Sequence, residues 1–288
     1  MTATIPVNGS LDVDATWATL VIHSVPGAEH LDHETRELTR LLDVDGHTLP
    51  VTVGIAADPL TLTCPDGTDP MVERRIAGIV HAWFATDADL EPIRRHLSTD
   101  PLLAPLIASR PHLRVTGYPD PFEAAAVTVI GQRVSIAAAR TFIARVAAAH
   151  GSPHPCGLIR FPTATVLAGI DPADLRAEVA LPPARCAALV GLARAVTDGL
   201  RLEGTDAALR PQLLALRRIG PWTADHLALR VLRDPDALPA SDLVPMRALG
   251  TRTAAQTRAL ADAWSPYRAY ATVHLWAGWA AASRRIEG

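Results

Sequence analysis

Residues 213–247 read LLALRRIGPWTADHLALRVLRDPDALPASDLVPMR. Leu213, Leu214 and Leu216 close one amphipathic helical pattern, and a second begins at Pro221. Between them, Ile219-Gly220 predicts a tight turn, with glycine taking backbone angles that a side chain resists. Pro221 suits the first turn of the second helix, where its missing N–H is no loss. Such a turn presents main-chain N–H groups at a helix start, a natural seat for a phosphate. Arg217 and Arg218 flank it. A hairpin of two helices that only packs would carry the same local pattern. Twenty residues beyond Trp222, Ser241-Asp242 opens a short helix with Pro245 in its first turn. Asp242 is read there as an N-cap, and that role is compatible with a second one in a site.

Outward from this stretch the chain is uneven. Residues 17–24, WATLVIHS, and residues 49–64, LPVTVGIAADPLTLTC, read as strands, rich in β-branched residues and bounded by Pro, Gly and Asp. MVERRIAGIVHAWF at 71–84 follows the helical period. Helical patterns then recur at 121–130, 134–149, 182–199, 206–217, 221–233, 242–249, 254–263 and 266–282, joined by short Gly, Pro and Asp loops. HGSPHPCG at 150–157 is a loop. The expected fold is an α+β N-terminal module, a small antiparallel sheet with helices, followed by a mostly α-helical body.

The 288 residues are 49% hydrophobic and 20% charged, ordinary for a globular chain. No apolar run has the length of a membrane span, and the start MTATIPVNGSLDVD lacks a basic, apolar leader, so a cytoplasmic location is expected. Cys64, Cys156 and Cys186 are too few and too scattered for a disulfide framework, a zinc cluster or a four-cysteine iron–sulfur site. The net charge of −3 hides an asymmetry: residues 1–100 hold 6 Arg and 16 acidic residues, residues 101–288 hold 21 Arg and 14. A phosphate-binding face in the later part is one reading, and ordinary solvated arginines are the other. All 27 basic residues are Arg, so no lysine is present to form a Schiff base.

LRRIGPWTADHLALR and LPASDLVPMRAL together resemble the helix-hairpin-helix motif and following Asp loop of the helix-hairpin-helix DNA glycosylases, most of all the AlkA type, 3-methyladenine DNA glycosylase II. RPHLRVTGYPDPFEAAAVTVIGQRVSIAAARTFIARV at 110–146, FPTATVLAGIDPADL at 161–175 and WSPYRAYATVHLWAGW at 264–279 carry the likeness further, from about residue 80 onward. The resemblance implies a monofunctional enzyme of base-excision repair. It would flip an alkylated purine out of double-stranded DNA and hydrolyse its N-glycosidic bond. Asp242 would be the catalytic carboxylate. Trp222, Trp276, His226 and Tyr270 would form the base pocket. Gln132, Arg133 and Val134 would lie in the loop that fills the gap in the duplex. Arg218, Ile219, Gly220 and Thr223 would meet DNA at the hairpin. Main-chain atoms of Leu214, Leu216 and Ile219 would hold a monovalent cation; no organic cofactor is implied, and a monomer is expected. The implied domains are 1–92, then 93–120 with 235–288, and 121–234. Trp264 is read as core, and His274 as a packed or capping histidine.

Three positions depart from the family pattern: Arg218 for a glycine, His226 for a tyrosine, and Arg133 at the wedge. Two other readings stand beside this one: a non-catalytic helix-hairpin-helix DNA-binding protein, and a glycosylase for a different lesion. A bifunctional glycosylase/lyase would need the lysine that this chain lacks; Trp222 stands at its position.

Overall fold

A computed structural model describes residues 2–287 apart from Ala57 and Thr205, with side chains from 283 onward left aside. Five antiparallel strands form the N-terminal sheet: β1 (Thr2–Ile5), β2 (Glu29–Asp32), β3 (Glu37–Val44), β4 (His47–Gly54) and β5 (Leu60–Thr63), in the order β1-β5-β4-β3-β2. Asp45-Gly46 joins β3 to β4 with both residues at positive φ, the geometry a two-residue hairpin needs to follow the strand twist. A further two-residue pair, β6 (Ser152–Pro153) and β7 (Ile159–Arg160), closes the 150–157 loop.

The helices are α1 (Val13–His23), α2 (Pro70–Phe84), α3 (Leu90–Leu97), α4 (Ala104–Ser109), α5 (Pro121–Gly131), α6 (Ile136–His150) and α7 (Ala164–Ala168). They continue as α8 (Pro172–Val179), α9 (Pro183–Thr197), α10 (Asp206–Ala215), α11 (Pro221–Arg230), α12 (Leu243–Ala248), α13 (Ala254–Leu260) and α14 (Arg268–Glu287). Many start on an Asp, Ser or Thr whose side chain accepts a main-chain N–H of the first turn, as Asp12, Asp69, Asp120, Ser135 and Thr253 do.

Residues 17–24 are a correction. The segment expected as a strand is the greater part of α1. Its β-branched residues suggest extended chain, yet Asp12 caps the Ala15 N–H, and Ala15, Trp17 and Leu20 bury one helical face. The sheet instead draws on β1, β2 and β3, whose short or mixed patterns carry little strand signal.

Three apolar clusters form the interior. One joins the sheet to α1 and α2 around Trp17, Leu38, Val53, Ile76 and Phe84. A second packs α3 and α4 against the C-terminal helices, with Trp264 almost fully buried and its indole N–H donated to Asp100 at 2.7 Å. The third fills the helices from α5 to the start of α11. Helix α11 belongs to both helical clusters, since Leu227 lies in the third and Ala228 and Leu229 in the second. Arg114 ties the modules together: its guanidinium donates to the carbonyls of Asn8, Ser10, Ala85 and Ala88.

Among the described residues no helix is long and apolar enough to cross a membrane. No disulfide joins Cys64, Cys156 or Cys186.

Candidate active site at the junction of the helical clusters

A cavity of about 430 Å³ opens where α1, α5, α6, α11 and α14 meet, a size suited to a small organic ligand. Its wall is largely apolar, and Asp242 stands in it with Trp222, His226 and Trp276.

Asp242 is the N-cap of α12. Its Oδ1 accepts the Val244 N–H at 3.0 Å, as the Ser-Asp pattern predicts. The same carboxylate accepts two indole N–H groups, Trp222 Nε1 on Oδ2 at 3.0 Å and Trp276 Nε1 on Oδ1 at 3.1 Å. Capping and site roles therefore coexist in one side chain. Three donors fix the carboxylate plane.

His226 lies one turn along α11 from Trp222 and stacks on it, with ring centroids 5.1 Å apart and planes 22° apart. The Trp276 ring also meets it, with centroids 5.9 Å apart and a tilt of 47°. The imidazole is buried, and burial, reinforced by the Arg230 charge, pushes its pKa down to about 3, so it is neutral. Its Nδ1 has no partner.

Tyr270 is not in this wall. It packs in the second apolar cluster, about one and two-thirds helical turns before Trp276, where burial raises its phenol pKa. The apolar spacing along α14 does not by itself distinguish the pocket face from the core face. Tyr118 and His23 take its place: both line the cavity, with the Tyr118 hydroxyl 2.9 Å from His23 Nδ1. Neither has a local sequence signal. Gly117 allows the approach, because a Cβ there would stand 2.8 Å from the Arg230 carbonyl oxygen.

The hairpin between α10 and α11 also departs from expectation. Gly220 is extended, at φ −104° and ψ 175°, and open space lies where its Cβ would be. The left-handed residue is Arg218, at φ 70°. The tight turn is thus made two residues earlier than expected, at the position where the family pattern has glycine, and Gly220 serves as N-cap of α11. Arg217 and Arg218 are exposed, Ile219 is buried, and Thr223 is buried with its hydroxyl accepting the Gln132 amide at 2.9 Å. The Thr223 side chain therefore faces inward, and Gln132 is braced against α11. Arg133 is exposed at φ 54°, at the tip of the α5–α6 loop, while Val134 lines the cavity.

Leu214 is 40% exposed in the last turn of α10, and the Leu216 carbonyl accepts the Ile219 N–H at 3.1 Å. A carbonyl oxygen keeps a second lone pair after accepting one such bond. Among the described residues no group of three or more His, Cys, Asp or Glu side chains is disposed to hold a metal ion. His274, outside the cavity, is packed and buried.

Residues 2–120 match the family model described as the AlkA N-terminal domain. The chain is 34% identical over 287 residues to a Mycobacterium tuberculosis protein named probable bifunctional transcriptional activator/DNA repair enzyme AlkA, covering 94% of this chain and 56% of that protein. It is 38% identical over 188 residues to Escherichia coli DNA-3-methyladenine glycosylase 2, covering 62% of this chain and 65% of that one. The chain thus spans less than two thirds of either relative. In fold it is similar to 3-methyladenine DNA-glycosylase from Archaeoglobus fulgidus, with a TM-score of 0.81 at 18% identity over 95% of this chain and 97% of that chain. A structure of MBOgg1 in complex with a DNA ligand aligns with a TM-score of 0.75 at 19% identity over 96% and 93% of the two chains. Residues 2–120 thus belong to the AlkA N-terminal domain family, and the chain as a whole is similar in sequence to AlkA-type DNA glycosylases.

Proposed function

We propose that the protein is a monofunctional DNA glycosylase that excises alkylated purines from double-stranded DNA, as a monomer and in the cytoplasm. The observation that carries this reading is the Asp242 carboxylate, held in the cavity wall by two indole N–H groups and one main-chain N–H.

A base inside a duplex is out of reach, so the nucleotide must leave the stack and enter the cavity. Arg133, exposed on its loop, fills the space left behind. The hairpin's main-chain N–H groups and Arg217 and Arg218 grip the phosphate backbone. The same turn offers carbonyl oxygens of Leu214, Leu216 and Ile219 to a monovalent cation, whose charge would be shared with a phosphate.

As the bond between the sugar C1′ and the base nitrogen breaks, its electron pair leaves with the base and positive charge builds on the sugar. Asp242 opposes that charge and orients the water that attacks C1′. The two indole donors keep the carboxylate aimed while the sugar changes shape. With no lysine in the chain, no side-chain amine competes with water for C1′. The product is a free base and an intact abasic site.

The test is to incubate the protein with end-labelled duplex carrying an alkylated purine, with and without borohydride. Base release with strand breaks only after alkali supports the reading. A borohydride-trapped covalent adduct, or breaks before alkali, overturns it.

A further inference from the structure

Helices α12 and α14 meet at the lip of the cavity. On α14, Trp276 gives its indole N–H to Asp242, and Trp279 stands three residues, a rise of about 4.5 Å, farther along. Trp279 also lines the cavity but is 44% exposed, so it marks the side that opens to solvent. On α12, Asp242 is the N-cap and Arg247 lies in the last turn. The Arg247 guanidinium carbon is 5.2 Å from the centre of the Trp279 ring. A cation resting on an indole thus stands at the mouth, outward of the carboxylate.

That cation is uncommitted. Arg247 is exposed, and among the described residues its guanidinium has neither a carboxylate partner nor a hydrogen bond. The indole face steadies the side chain while its five N–H donors stay free. Arg110, Arg140 and Arg230 also stand in the cavity wall, but each is bonded within the protein: to Asp12, to the Val21 carbonyl and to the Thr116 carbonyl. A nucleotide with its base in the cavity and C1′ beside Asp242 keeps its phosphates outside, since the strand continues into the duplex on both sides. Its backbone passes the mouth where Arg247 presents those donors.

We propose that Arg247, steadied on Trp279, binds a backbone phosphate of the extruded nucleotide and so holds C1′ against Asp242. The inference rests on the glycosylase reading and adds to it a substrate contact separate from the hairpin. Arginine suits the task because its planar fork meets two phosphate oxygens at once. A contact made only after extrusion speeds base release more than it tightens binding to intact duplex.

The experiment measures single-turnover release of 7-methylguanine from two duplexes. One has ordinary phosphates, and the other has neutral methylphosphonates in place of the two phosphates flanking the lesion nucleotide. Wild type, Arg247→Gln and Trp279→Leu are compared; both side chains are exposed, and the thermal midpoint verifies folding. On the ordinary duplex Arg247→Gln should release base at least about tenfold more slowly, with affinity for undamaged duplex within about threefold of wild type. The neutral linkages should slow the wild type by a similar factor, and Arg247→Gln by no more than about threefold, because the charge that read them is gone. Trp279→Leu keeps that charge without its seat, and its methylphosphonate penalty should also shrink. Losses that multiply independently in Arg247→Gln, or no methylphosphonate penalty in the wild type, overturn the contact. A full penalty in Trp279→Leu overturns the role of the indole. Release of neither 7-methylguanine nor any other alkylated purine by the wild type overturns the glycosylase reading, and this inference with it.

Discussion

Trp222 and Asp242, twenty residues apart, are joined by the indole N–H donated to Oδ2 at 3.0 Å. The contact links the hairpin's second helix to the loop that ends in α12, so the site is set by the hairpin fold as well as by the carboxylate. A hydrogen bond to a charged acceptor contributes about 1.5–3 kcal/mol. Trp222→Phe keeps an aromatic wall and removes only the donor. It should lower the single-turnover rate of base release by about 10- to 100-fold, with little change in the thermal midpoint. A rate within twofold of the wild type would show that the donor does not position the carboxylate.

Arg218 occupies a left-handed conformation that costs an ordinary residue about 1–2 kcal/mol. Arg218→Gly removes that strain and gives up some of it to the looser unfolded chain, so it should stabilise the protein by about 0.5–1 kcal/mol. The same change removes a charge beside the hairpin. The dependence of log affinity for duplex DNA on log salt should become shallower by about one unit. Denaturant unfolding and a salt titration of DNA binding read the two effects separately.

Arg114 is 1% exposed and donates to four main-chain carbonyls, two ahead of α1 and two just after α2. Arg114→Met keeps much of the volume and leaves those carbonyls without their donor. The expected loss is about 3–5 kcal/mol in urea unfolding. A loss under about 1 kcal/mol would mean that water replaces the guanidinium at little cost.

His274 is buried, and burial pushes its pKa down to about 4, while Asp12 and Arg110 act on it in opposite senses. The native protein therefore holds it neutral, and the unfolded chain takes up a proton near the ordinary value of 6.5. The stability it contributes is intact above pH 6.5 and is lost as pH falls from there to about 4. Glu29, raised by burial to about 7, acts in the opposite sense and loses stability as pH rises. Comparison with His274→Gln isolates the histidine. The wild type's advantage over the variant should shrink by up to about 1.4 kcal/mol per pH unit below 6.5. A pH-independent difference would contradict a neutral buried His274.

The hairpin and its distant carboxylate were legible in sequence because their signals are local. Pro221 marks a helix start, Ser241-Asp242 marks a cap, and the cap turns out to be the residue that the indoles hold. Gly220 was read for the wrong reason: a glycine beside a turn suggests positive φ, but Arg218 bears it. Segment 17–24 was misread because Thr19, Val21 and Ile22 raise strand propensity, while the burial that makes α1 a helix comes from partners far along the chain. The pocket's polar end was not legible at all. His23, Tyr118 and Arg230 come from separate elements, and only their shared cavity brings them together.

The central claim is that Asp242 acts on the chemical step after the base has entered the cavity. The most direct test is single-turnover base release from a purine-lesion duplex by wild type and Asp242→Asn, each at saturating protein, with affinity measured on the same duplex. Asparagine keeps the cap and the shape but loses both the charge and the oxygen that accepts the Trp222 indole N–H. The account predicts a fall in release of at least about 100-fold, the scale of losing a preorganised electrostatic group, with affinity within about threefold of wild type. Release by Asp242→Asn at near wild-type rate would contradict it.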